Sequence, residues 1–149
     1  MDSFSDLQEE VLQEALAAGF TRTALDHAMN PRNVGSLDVP DATASVVGPC
    51  ADTMSMWLRV REGRIAALTF WTDGCGPTIA TGSITTELAK GKTVGEALRL
   101  HAQDVLDALG GLPEGHHHCA QLAADTLRAT LKDYLTNGRE PWRRLYRTG

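Results

Sequence analysis

With 149 residues, the chain has room for one ordinary hydrophobic core and is short for two, so a single main domain is expected. Hydrophobic residues make up 42% and charged residues 22%, a balance that excludes a long disordered chain or a repeat array. A net charge of -5 repels phosphate backbones and anionic lipid, so neither nucleic acid nor a membrane is an expected partner.

No stretch of about 18 apolar residues occurs, and the N-terminus is acidic and polar instead of basic and then apolar, which predicts a cytoplasmic, soluble protein. Leu7, Val11, Leu12, Ala15 and Leu16 line one helical stripe, with Ser5 as N-cap and Gly19 as stop. Asp6, Glu9, Glu10 and Glu14 form its solvated face. A second helix is expected over Thr21 to Met29, ended by Asn30-Pro31 because the residue before a proline is pushed out of the α region. Pro31 to Ala42 reads as loop.

From Ser45 to Trp71 the pattern turns to strands. Val46-Val47 comes first, then Met54, Met56, Leu58 and Val60 in alternation, a turn at Glu62-Gly63, and an apolar run from Ile65 to Trp71. Three antiparallel strands are the simplest solution. Helices follow: one carrying Ile79, Ile84 and Leu88, a short piece from Val94 to Leu100, and one from His101 to Leu109 closed by Gly110-Gly111. The clearest helical spacing is last, from Cys119 through Leu122, Leu127 and Leu131 to Asn137-Gly138. Strands in one block and helices in another predict an α+β domain, a small three-stranded antiparallel sheet covered by helices on one face, with a long C-terminal helix. Residues 1–20 are then an N-terminal helical extension, 21–137 the main domain and 138–149 a basic tail bearing Arg143, Arg144 and Arg147, expected to dock on the acidic first helix.

Three cysteines cannot form a complete disulfide framework, and in a reducing compartment thiols serve as metal ligands or nucleophiles. Each sits where an element begins or ends, so all three can converge. Cys50 lies in the turn between the first two strands, with the Asp52 carboxylate two residues on. Cys75, between Gly74 and Gly76-Pro77, opens a helix whose positive end stabilises a thiolate. Cys119 follows His116-His117-His118 at the start of the last helix, presenting imidazole and thiol together at a second positive end. Iron–sulfur clusters and zinc take four ligands, so a fourth must join the thiols: His118, Asp52 or an external group. Mixed ligation makes a site that can be filled and emptied. His116 and His117 read as helix-start polar residues, His27 and His101 as structural, and Trp57 and Trp71 as core or sheet-edge packing.

Asp26-His27 leading into Asn30-Pro31-Arg32-Asn33-Val34-Gly35, then Pro49-Cys50-Ala51-Asp52, Thr72-Asp73-Gly74-Cys75-Gly76-Pro77-Thr78-Ile79-Ala80, Lys90-Gly91-Lys92 and His118-Cys119-Ala120, together resemble the NifU/IscU-type iron–sulfur scaffold family in its stand-alone form. The resemblance covers about residues 22–136. It implies a non-enzymatic scaffold, with no catalytic residue. A labile 2Fe–2S cluster is assembled there from iron and from sulfur supplied by a cysteine desulfurase, then passed to apo-proteins. The ligands it implies are Cys50, Cys75 and Cys119, with His118 or Asp52 completing the set, zinc filling the site in isolated members and a homodimer as a further partner state. Asp52 is implied to keep the cluster labile.

The chain departs from the family at two places. Ala51 stands where glycine is usual, and if that position needs positive φ the turn is strained. Leu112-Pro113-Glu114-Gly115-His116 replaces the family's Leu-Pro-Pro-Val-Lys, which predicts that delivery does not run through the usual dedicated heat-shock chaperone. One alternative is a zinc-dependent sulfur acceptor, a sulfurtransferase partner of a desulfurase. That branch carries an insertion between the second and third cysteines, and none is recognisable here. Another is a thiol hydrolase with Cys119 as nucleophile and His118 as base, disfavoured because adjacent helical side chains are not expected to face each other.

Overall fold

The computed structural model describes residues 3–138. The expected basic tail, and with it the docking of Arg143, Arg144 and Arg147, lies outside the described residues. The elements are α1 (Ser3–Ala17), α2 (Arg22–Met29), β1 (Ala42–Val47), β2 (Thr53–Arg61), β3 (Arg64–Thr72), α3 (Gly76–Ala89), α4 (Val94–Ala97), α5 (Ala102–Leu109) and α6 (His117–Asp133). A single 3-10 turn, Glu114–His116, precedes α6, and a π segment, Tyr134–Gly138, follows it.

The strands form one antiparallel sheet in the order β1-β2-β3, as the sequence predicts. Alternation sends Met54, Met56, Leu58, Leu68 and Phe70 to one face, where each is essentially inaccessible to water. α6 lays Leu122, Leu127 and Leu131 on that face, completing the main core. Among the described residues, the helices that pack directly on the sheet, α3 and α6, lie on this face. Trp57 and Trp71 belong to the opposite face, Trp57 half-buried and Trp71 46% exposed, so neither enters the core.

α3 is enclosed on nearly every side, which its composition allows. Two of its buried hydroxyls turn back onto their own helix, Thr81 Oγ1 to the Thr78 carbonyl and Thr86 Oγ1 to the Ser83 carbonyl. A Cβ at Gly82 would lie 2.5 Å from the Phe70 ring, so glycine there lets α3 seat directly on the sheet. A second small core joins α2, α5 and α6 through Ala24, Val105, Leu109, Leu112 and Ala120.

Several boundaries differ from the sequence reading. α1 begins at Ser3, so Ser5 lies inside the helix instead of capping it, and Val11, expected on the apolar stripe, is 63% exposed. β1 starts at Ala42, because pairing with Leu58 extends the strand through an Ala-Thr-Ala stretch of weak strand preference. α4 stops at Ala97, where the following amides of Arg99 and Leu100 make tight i→i−3 bonds. The supposed loop from Pro31 also carries structure. Gly35 N–H donates to the Phe70 carbonyl, and Phe70 N–H to the Asn33 carbonyl, each at 2.9 Å, so the loop pairs along part of β3's outer edge. Arg32 and Asn33 fix this loop to its neighbours, through Asp26 at 2.6 Å and through Thr86 and Glu87 at 3.0 and 2.9 Å.

Candidate functional site

All three cysteines sit at one end of the sheet, where the β1–β2 turn, the chain leaving β3 and the first turns of α3 and α6 meet. The β1–β2 turn is closed by Gly48 N–H to the Asp52 carbonyl at 2.8 Å and Ala51 N–H to the Gly48 carbonyl at 3.0 Å. A Cβ at Gly48 would lie 3.3 Å from Leu122, so glycine lets this turn rest against α6. Ala51 holds a φ of +65°, the left-handed conformation that its place in the motif foreshadows.

The segment leaving β3 is tied to the same turn. Thr72 Oγ1 donates to the Thr53 carbonyl at 2.7 Å, and the Asp73 carboxylate accepts the Thr53 N–H at 2.7 Å. Cys75 is the N-cap of α3, with Pro77 in the first turn. Gly74 permits close packing there, since a Cβ would lie 2.7 Å from the Thr78 side chain. Cys119 is the third residue of α6 and only 2% exposed, whereas Cys50 and Cys75 are exposed.

His118 Nε2 lies 3.4 Å from Cys50 Sγ and 3.7 Å from Cys119 Sγ. The expectation that His118 and Cys119, as helix neighbours, cannot meet is therefore wrong: in the first turn of α6 the imidazole folds back over the thiol. Thr78 Oγ1 approaches both sides of the site, donating to Asp52 Oδ2 at 3.3 Å and lying 3.5 Å from Cys119 Sγ. Among the described residues, no three His, Cys, Asp or Glu side chains are already gathered into a shell that encloses a metal ion.

Burial pushes the Cys119 thiol above its ordinary range, the Thr78 hydroxyl offsets part of this, and the neighbouring Cys75, Asp52 and Cys50 push it up further. The helix-end stabilisation expected of this thiolate is outweighed. A buried thiol held protonated is a poor nucleophile, which argues against the hydrolase alternative.

The other histidines face elsewhere. His117 Nε2 donates to the Leu112 carbonyl at 2.9 Å, and the His116 ring packs on Phe20 with centroids 5.4 Å apart. His101 is the N-cap residue of α5, and buried His27 bonds Ser83 Oγ through Nδ1 at 2.7 Å, both structural as expected. Sequence reasoning missed Thr78 as a site residue. Its signal was a hydroxyl three positions after Cys75, which the first turn of a helix brings back over the cap.

The fold is thus a small α+β domain on a three-stranded meander, with Cys50, Asp52, Cys75, His118 and Cys119 near one end of the sheet. The chain belongs to the NifU-like N-terminal domain family, whose pattern matches residues 19–140. It is 45% identical over 116 residues to an Archaeoglobus fulgidus protein called iron-sulfur cluster assembly scaffold protein IscU 1, covering 77% of this chain and 76% of that one. It is 41% identical over 128 residues to the Drosophila melanogaster iron-sulfur cluster assembly enzyme IscU, covering 83% and 82%. In fold it matches the N-terminal part of a NifU-like protein from Brucella abortus, with a TM-score of 0.66 at 19% identity, over 78% of this chain and 94% of that one.

Proposed function

We propose that this protein is an iron–sulfur cluster assembly scaffold. The observation that carries the reading is the meeting of Cys50, Asp52, Cys75, His118 and Cys119 at one end of the sheet, on turns and helix starts. The names of its relatives support it, among them an iron-sulfur cluster assembly scaffold protein. Residues 21–137 form the working domain, with 1–20 and 138–149 as extensions.

The cargo is a 2Fe–2S cluster built from iron and from sulfur supplied by a cysteine desulfurase. Exposed Cys50 and Cys75 are the thiols a donor can reach, while buried Cys119 serves from inside. The three cysteines supply three ligands, and His118 or Asp52 supplies the remaining one. Ligation also strips the Cys119 proton, so filling releases protons. Zinc occupies the same donors when iron and sulfide are absent. The cluster then passes to apo iron–sulfur proteins in the cytoplasm, with a homodimer available around a shared cluster. The role is one of carriage, not turnover. No helix among the described residues is long and apolar enough to cross a membrane.

Anaerobic incubation with ferrous iron, a desulfurase and cysteine tests the proposal through visible absorption and iron and sulfide analysis. A 2Fe–2S chromophore that is lost on replacing any one cysteine with alanine supports it. Persistent zinc with persulfide on one cysteine, and no chromophore, replaces it with the sulfur-acceptor reading.

A further inference from the structure

We propose that Thr78 is a positioning residue of this site, whose one hydroxyl proton goes either to Asp52 or to the Cys119 sulfur and so decides whether Asp52 is free to act as a ligand. The inference rests on the reading of Cys119 and Asp52 as cargo-binding groups. Thr78 is 0% exposed, and its Oγ1 lies 3.3 Å from Asp52 Oδ2 and 3.5 Å from Cys119 Sγ. The distance to sulfur suits a hydrogen bond to that larger acceptor, and the distance to Asp52 is that of a long, weak one. A hydroxyl carries one proton and two lone pairs, so it can donate to only one of the two at a time.

In the empty site the geometry forms a chain. Cys119 S–H can donate to Thr78 Oγ1 while Thr78 O–H donates to the Asp52 carboxylate, which ties the Cys50–Asp52 turn to α3. A metal-bound sulfur has no proton left to give and two lone pairs that accept. Thr78 then turns its O–H to that sulfur, and Asp52 loses its tether. Filling the site at Cys119 and freeing Asp52 are thereby one event. Gly74 is part of the device, because any side chain there would collide with Thr78 and displace its hydroxyl.

Cobalt(II) alone, added anaerobically to the full chain, reads the hydrogen bond directly. An O–H donor on a coordinated thiolate lowers the energy of the sulfur lone pairs and so raises the sulfur-to-cobalt charge-transfer energy. Thr78→Val keeps the shape and removes the donor, and its band should move to longer wavelength. Thr78→Ser restores the donor and should return the band to the wild-type position. Thr78→Ala, which removes the hydroxyl by truncation, should shift in the same direction as valine and serves if the valine variant folds poorly. Bands at the wild-type position in both the valine and alanine variants overturn the inference and leave the scaffold reading standing. A serine band displaced along with theirs also overturns it, since packing and not the hydroxyl would then be responsible. Wild-type protein that shows no thiolate-to-cobalt band overturns both.

Discussion

Ala51 holds a φ of +65° in the turn between Cys50 and Asp52, and replacing it with glycine should make the protein more stable. A side chain in the left-handed region costs about 1–2 kcal/mol, because Cβ crowds the following carbonyl. Glycine removes that cost but adds about 0.5–1 kcal/mol of unfolded-chain entropy. The Ala51 methyl is exposed, so little packing is lost with it. The net gain is about 0.5–1 kcal/mol, which for a chain of this size is about 1–4 °C in the midpoint of thermal unfolding. Ala51→Val is the control of opposite sign, since a β-branched side chain fits this conformation worse than alanine and should lower stability by about 1 kcal/mol. Urea and thermal unfolding of the three metal-free proteins measure both changes. A glycine variant no more stable than wild type, or a valine variant of equal stability, would show that the turn is unstrained.

Gly82→Ala should destabilise by up to about 2 kcal/mol in urea unfolding. Overpacking against the Phe70 ring costs about 1–3 kcal/mol and the gain in helix propensity returns about 1. Burial and the Arg32 charge hold the His27 pKa below its ordinary 6.5, so between that lower value and 6.5 the unfolded chain binds more protons than the folded one. Stability conferred by neutral His27 is therefore complete above 6.5 and is lost as pH falls through the window. Unfolding midpoints at neutral and mildly acidic pH should differ less in His27→Gln than in wild type, and an equal difference would remove His27 from the account. Asp52→Ala should lengthen the life of a bound cluster and slow its transfer by roughly tenfold, the lower end of what changes beside a metal site produce. Equal transfer rates for variant and wild type to an apo-ferredoxin would rule out a releasing role for Asp52.

The sheet was legible because Met54, Met56, Leu58 and Val60 recur at every second position, the period of a strand with one face buried. The placement of Cys75 was legible for a local reason too: a cysteine followed by Gly76-Pro77 reads as a helix start, and it is the N-cap of α3. Features that depend on distant pairing were not legible. The irregular register at Arg59/Val60 and the bridge between Val34 and Phe70 arise from tertiary packing that no local pattern announces. Cys119 shows the same limit in its chemistry. The helix start predicts a stabilised thiolate, but burial is a property of the whole fold, and it prevails. His118 is legible as a candidate ligand from its cysteine neighbour and from the family motif, yet its approach to Cys50 depends on Gly48 letting the turn settle on α6.

The most direct test of the central claim is delivery. Wild-type protein carrying a reconstituted cluster is mixed with an apo-ferredoxin in the presence of an iron chelator, and the holo-ferredoxin formed is followed by circular dichroism. The account predicts that the cluster passes intact, faster than ferredoxin is filled by free iron and sulfide and with little iron lost to the chelator. Capture of the iron by the chelator, with no holo-ferredoxin formed, would contradict it.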